Sequence, residues 1–193
     1  LSPGPAVLEE EKHLKAHANM WRMTDDFWDV WDALYAMFER CEKWAPYVGE
    51  HHWPDCDMLP LGHIGIRSSE HGFTDRMTHF TREEQKTMMT LWGIFRSPLM
   101  MGGEMRDNDD WTLSLLTNED LLAIHRDGRG ARQFMREDDI VAWHSRLTDG
   151  RDCIALFNLN DEERKVSYAM EQAVVSQRQS AKEKWRQKVH VEE

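Results

Sequence analysis

NMWRMTDDF, residues 19–27, is the stretch on which the fold turns. Residues 19–23 are an apolar run broken by Arg22, too short for periodicity to separate strand from helix, and read here as a buried strand. Thr24, Asp25 and Asp26 then make a turn, and an amphipathic helix pattern opens at Trp28. In a parallel α/β sheet or barrel this turn lies at the carboxyl end of its strand, where such folds gather their ligands. Arg22 stands four residues before Asp26, and at such an edge the two form a charge pair suited to binding and proton transfer. The residues alone leave a simpler alternative open: Asp25 or Asp26 caps the helix by accepting a free backbone N–H.

Upstream, AVLEEEKHLKAHA (residues 6–18) predicts a helix, its acids in the early turns and Lys15 and His17 near its end, as the helix dipole favours. Downstream, Trp28, Trp31, Leu34, Tyr35, Phe38 and Cys41 recur at three- and four-residue spacing. They predict a helix running to Trp44 and stopped before Pro46, with the aromatic stripe as core. Residues 57–61 suit a short strand edge closed by Gly62, and residues 65–80, which include Gly72, read as a long functional loop. Thr81 opens a helix with a capping box through Glu84, and that helix buries Met88, Leu91, Trp92 and Phe95. Residues 98–101 read as one more strand, closed by Gly102 and Gly103, and residues 112–116 and 118–124 as two short helices.

At the DGRG turn (127–130) the texture changes to short alternating runs at 132–135, 140–144, 153–159 and 165–168, an antiparallel meander. From residue 169 the chain is polar, with Trp185 its only large aromatic and no periodic pattern. Strands alternating with helices before the break argue for a parallel α/β architecture. The expected fold class is therefore α/β: the second half of a (β/α)8 TIM barrel followed by the start of an antiparallel β domain. The expected division is residues 1–127 for the half barrel and 128–193 for the β domain with its polar tail.

The totals narrow the function classes. With 193 residues, 40% apolar and 31% charged, the chain is long enough for one globular domain or part of a larger one. No apolar run approaches the roughly 20 residues of a membrane-spanning helix. A net charge of −11 argues against nucleic acid and anionic membranes as partners, since both call for a basic face. Cys41, Cys56 and Cys153 have no CxxC spacing, so neither a zinc site nor a disulfide framework is indicated, and any pairing among them stays open. The chain opens with LSPGP, without a visible signal peptide, and is expected to continue a longer sequence. That leaves the compartment open among secreted, periplasmic and lysosomal types.

Two strand ends carry acids: Asp25 and Asp26 after one strand, Asp55 and Asp57 at the start of the next. A pair of carboxylates flanking a glycosidic bond equips a glycoside hydrolase, and Trp21, Trp53 and Met58 would suit the apolar face of a sugar, Arg22 its hydroxyls. His51, His52, Asp55, Asp57 and His63 have ligand chemistry but no recognised metal spacing, and no metal or cofactor is expected.

Four segments, WRMTDDFWDVWD, GEHHWPDCDMLPLG, FTREEQKTMMTLWGIFRSPLMMGG and LLTNEDLLAIHRD, together resemble glycoside hydrolase family 27. These are the melibiases, α-galactosidases and α-N-acetylgalactosaminidases. The resemblance spans residues 1 to about 168. It implies a (β/α)8 barrel followed by an antiparallel β domain, and retaining hydrolysis of terminal α-galactosyl residues with two Asp carboxylates and no cofactor. Carried over by position, Asp26 is the general acid/base, Arg22 and Asp57 bind substrate with Met58 beside them, and Asp55 supports the loop. The sequence departs from the family twice. It holds no Lys-Tyr/Phe-Asp segment, which carries the nucleophile on the fourth barrel strand, and Leu-Ser-Pro-Gly-Pro replaces the motif that sorts galactose from N-acetylgalactosamine. The competing reading is a catalytically inactive fragment or sugar-binding module. A half barrel would expose strand edges and an apolar interior, so poor solubility is expected unless two copies pair as a homo-oligomer or the missing half is supplied.

Overall fold

A computed structural model describes residues 1–65 and 74–165. A 3-10 turn (Leu8–Glu10) leads into α1 (Glu11–His17), then β1 (Met20–Arg22), α2 (Trp31–Trp44) with a 3-10 extension, and β2 (Trp53–Asp55). Two short strands, β3 (His63–Ile64) and β4 (Arg76–Met77), precede α3 (Arg82–Phe95), α4 (Asp110–Leu116) and α5 (Glu119–Asp127). Three antiparallel strands follow, β5 (Gly128–Glu137), β6 (Ile140–Leu147) and β7 (Asp152–Asn158).

Parallel pairing runs through the first part. β1 and β2 pair in parallel with Arg22 opposite Asp55. On the far side of β1, the Arg22 N–H donates to the Leu1 carbonyl at 3.0 Å. Beyond β2, Leu59 forms a parallel bridge with Met101, held by Leu59 N–H to Met100 O at 2.7 Å and Gly102 N–H to Leu59 O at 2.9 Å. Parallel neighbours need crossover connections, and α1, α2 and α3 supply them. The core lies between these strands and helices, with Trp21, Phe27, Phe38, Trp92, Phe95 and Trp143 fully buried. The antiparallel sheet packs onto the same core: Phe157 of β7 meets Phe38 of α2 edge-on at 4.9 Å, and Trp143 of β6 meets Phe95 of α3 at 6.3 Å. α3 is therefore covered on nearly every side over its last turns, where Leu91 to Phe95 are all buried.

Several local expectations need correction. α2 begins at Trp31, not Trp28; its N-cap is Val30 with no side-chain cap bond, so neither Asp25 nor Asp26 caps it. The strand expected at 57–61 lies earlier, at Trp53–Asp55, leaving only Leu59 in a ladder. Asp55 therefore ends a strand instead of starting one. Only Met101 of the run 98–101 pairs as strand. The DGRG stretch is not a turn: Gly128 already belongs to β5, and Gly130, at φ 61°, sits in an irregularity of that strand. The capping box is present: Thr81 accepts from Glu84 N–H, and Glu84 accepts from Thr81 N–H at 2.7 Å. Asn118 caps α5. The strand expected at 165–168, the tail from 169 and most of the first half of the 65–80 loop fall outside the described residues.

Candidate active site

The parallel pairing of β1 and β2 brings their carboxyl ends, Arg22 and Asp55, side by side. Arg22 forks between two carboxylates: one guanidinium nitrogen reaches Asp57 Oδ1 at 2.9 Å and the other Asp26 Oδ1 at 3.1 Å. Arg22 and Asp57 are largely covered, with side chains 17% and 14% exposed, whereas the Asp26 side chain is 85% exposed. Asp57 Oδ2 also accepts the Phe27 N–H at 2.7 Å, which ties the loop after β1 to the loop after β2. Asp57 holds a left-handed backbone, φ 78°, a conformation that Asp tolerates better than most residues. Two bonds fix that conformation: its N–H donates to Asp55 Oδ1 at 2.9 Å, and its carbonyl accepts from Trp92 Nε1 at 3.2 Å. Burial raises the Asp55 carboxyl above the usual range, against the Asp57 amide and assisted by the Asp57 charge. Asp55 thus acts as a scaffold for the turn.

The floor beneath these groups is aromatic. Phe27 packs on Trp92 at 4.9 Å and Phe80 at 6.1 Å. Met58 lies half-buried, close against Gly102: a Cβ added there would meet Met58 Sδ at 2.5 Å. Two residues read as sugar platforms are not available as such. Trp21 is fully buried against Trp44, and Trp53 has Arg96 stacked 4.7 Å over its ring. The structure thus brings Arg22, Asp26 and Asp57 together in one constellation, while the Trp21 ring packs against Trp44 and His52.

The histidines considered as metal ligands disperse. His52 bonds the carbonyls of Glu50 and Lys15, while His63 lies between Asp75 and Asp107. Those two carboxylates raise the His63 pKa to about 9. Among the described residues no group of three or more His, Cys, Asp and Glu side chains is arranged to hold a metal ion.

Asp29 was not among the residues the sequence singled out; it stands between the aromatic positions Trp28 and Trp31. It is buried, its side chain 1% exposed, and its carboxylate takes Arg76 at 2.6 and 2.9 Å and the His79 N–H at 2.5 Å. Burial would raise its pKa; the Arg76 and His79 hydrogen bonds outweigh that, and the carboxyl lies below the usual range. Its partner lies 47 residues away across a loop without periodicity, so spacing held no signal of the pair.

Comparison with known proteins gives this geometry its family. The family model described as α-galactosidase A matches residues 6–127. α-Galactosidase 2 of Arabidopsis thaliana is 29% identical over 142 residues, 72% of this chain and 32% of its own length. The crystal structure of a family 27 β-L-arabinopyranosidase from Geobacillus stearothermophilus superposes with a TM-score of 0.80 at 62% identity, covering 84% of this chain and 38% of that one. α-Galactosidase I of Mortierella vinacea, at 17% identity, shares the fold with a TM-score of 0.72, over 86% of this chain and 44% of its own. The chain spans about a third of the length of the curated relatives it matches. With the family model covering most of its length, the chain belongs to the α-galactosidase A family of glycoside hydrolases, family 27.

Proposed function

We propose that this chain is the acid/base-bearing portion of a retaining glycoside hydrolase, α-galactosidase-like, that cleaves terminal α-galactosyl residues by double displacement. Asp26 protonates the leaving glycosidic oxygen and then takes a proton from the incoming water. Arg22, Asp57 and Met58 hold the sugar. The observation that carries this reading is the Arg22 fork: a largely covered guanidinium that anchors one largely covered carboxylate and one exposed carboxylate at neighbouring strand ends. Asp57 is committed to Arg22 and Phe27 N–H, which suits a binding role. Asp26 gives one oxygen to Arg22 and stands in solvent, as a group that exchanges protons with substrate and water must. The second carboxylate of the double displacement is then supplied by sequence beyond these 193 residues. On this reading residues 1–127 are the second half of the (β/α)8 barrel and residues 128–193 begin the β domain.

The test is Asp26→Asn in the complete enzyme that contains this segment. Turnover of unactivated glycosides should collapse, while the first step should survive on an aryl glycoside whose leaving group needs no proton. Equal loss on both substrates would remove the acid/base assignment.

A second reading of the sugar is favoured by the 62% identity to the Geobacillus β-L-arabinopyranosidase. β-L-Arabinopyranose has the ring configuration of α-D-galactose and lacks only its hydroxymethyl group. The two readings separate in the ratio of kcat/KM for the two nitrophenyl glycosides. One missing or added carbon in a pocket is worth roughly 1–3 kcal/mol, or about 10- to 200-fold.

A further inference from the structure

We propose that Asp29 and Arg76 are positioning residues for the acid/base, a buried clamp that sets where the Asp26 carboxylate stands. The inference rests on the acid/base reading of Asp26. The loop between Arg22 and Trp31 has no helix cap to hold it, since Val30 offers no side-chain bond to α2. Met23 at its start bonds the Asp55 carbonyl and Arg40, and beyond Asp26 two side-chain contacts hold it. Phe27, immediately after Asp26, gives its N–H to Asp57 and its ring to Trp92. Asp29, three residues after Asp26, gives both carboxylate oxygens to Arg76 and accepts the His79 N–H as well. Asp26 itself is exposed and bonded, among the described residues, through Arg22 alone. Its position therefore depends on the backbone that these two anchors fix.

The second anchor belongs to a different part of the rim. Arg76 lies on β4 and pairs with Ile64 of β3. β3 is fastened in turn to the segment after Met101: His63 bonds Asp107 at 2.6 Å, and the His63 carbonyl accepts the Glu104 N–H at 2.7 Å. The Asp29–Arg76 pair thus joins the loop after β1 to a strap that crosses from β3 to the loop after Met101. A carboxylate with a 1% exposed side chain is costly to bury unless every oxygen is matched. Here three donors meet it, two from a planar guanidinium that only Arg presents in this fork. Such a clamp has one orientation, as positioning a proton donor requires, and displacement of a catalytic group by about 1 Å can cost around 10²-fold in rate.

The experiment compares Arg76→Met, Arg76→Lys and Asp29→Asn with Asp26→Asn, all in the complete enzyme. Each is assayed on an alkyl glycoside and on a nitrophenyl glycoside of the same sugar. The clamp predicts that Arg76→Met loses about tenfold or more in kcat/KM on the alkyl glycoside and less than about threefold on the nitrophenyl one, because kcat/KM reports the first step, in which only the alkyl leaving group needs the proton. Slower deglycosylation lowers kcat and KM together and leaves this ratio unchanged, and Arg76→Lys should recover part of the loss. A merely structural pair would lower both substrates together, and that outcome overturns the proposal, as does full activity of Arg76→Met on the alkyl glycoside. If Arg76→Met does not fold, Arg76→Lys, which keeps the charge but not the fork, carries the same comparison. If Asp26→Asn itself shows no leaving-group selectivity, the acid/base reading falls and the clamp falls with it. If Asp26→Asn is selective and the clamp variants are not, the clamp alone is refuted.

Discussion

Asp57→Asn isolates one charge at the centre of the site. Asn fits the left-handed backbone at residue 57 as well as Asp does, so the turn itself need not change. The carboxylate accepts two donors, Arg22 at 2.9 Å on Oδ1 and Phe27 N–H at 2.7 Å on Oδ2. An amide has one oxygen, so its NH2 must face either the guanidinium or the Phe27 N–H, and one of the two bonds is lost outright. A hydrogen bond to a charged partner contributes about 1.5–3 kcal/mol. The surviving bond weakens to a neutral acceptor, while residual exposure of the pair screens part of the loss. The net cost is about 2–3 kcal/mol. Urea unfolding of the complete enzyme measures it, as a lower midpoint at unchanged slope. A cycle with Arg22→Met should assign about half or more of the loss to coupling between the two side chains. A variant as stable as the parent, or more stable, would refute the reasoning: it would mean that the fold holds the Asp57 charge at a net cost, for function alone.

Adjacent glycines should give different failures. A Cβ on Gly102 meets the movable end of Met58 and, at 3.1 Å, the Leu59 carbonyl. Gly102→Ala should therefore fold and raise KM several-fold by displacing Met58. A Cβ on Gly103 overlaps the Leu61 carbonyl oxygen, and Gly103→Ala should lose soluble protein. The His63 contacts predict a pH effect of defined sign. Its folded pKa is raised to about 9, so its stabilisation is complete below the unfolded value near 6.5 and is lost as pH rises through about 9. Melting temperatures from pH 6 to 10 should fall more steeply for the parent than for His63→Gln. Cys41 and Cys56 lie buried with sulfurs 3.6 Å apart, and burial pushes the Cys41 thiol well above its usual range. Iodoacetamide should leave both unlabelled in the native protein and modify them in urea, with half-buried Cys153 reacting first.

Local chemistry was legible where it is written in neighbouring residues. The Thr81–Glu84 box depends on contacts three residues apart, and it is present; of Thr117 and Asn118, either of which could cap the next helix by sequence, the structure uses Asn118. Of the stripe read as core by period, Leu34, Phe38 and Cys41 are core, Trp31 and Tyr35 are partly buried against it, and Trp28 lies ahead of the helix. Misreadings cluster where the chain is short of periodic residues. β1 and β2 have three residues each, too few to show a period, so their bounds rest on pairing with each other. The segment 57–61 looked like a strand because it is apolar, yet Asp57 turns the backbone to φ 78°. A carboxylate that bonds the Phe27 amide and Arg22 stabilises that turn, and neither partner is near in sequence.

The same distinction governs the site. Arg22 and Asp26 could be paired from the sequence because they stand four apart on a strand-to-loop junction. Asp57 came by resemblance, and its geometric reason, the second arm of Arg22, comes from register: Arg22 pairs with Asp55, so a residue two further on reaches the same guanidinium. The fork then follows from topology. Parallel strands place their carboxyl ends at one edge, and a long basic side chain at the end of one strand spans to the acid after the next. Placed on antiparallel strands, the same residues would end at opposite edges. Asp29 shows the limit of this logic, because its partner Arg76 belongs to a two-residue strand 47 residues away, with no sequence periodicity to announce it. Only burial marks it: a carboxylate at 1% exposure must have a donor, and the fold had to be built before that donor could be found.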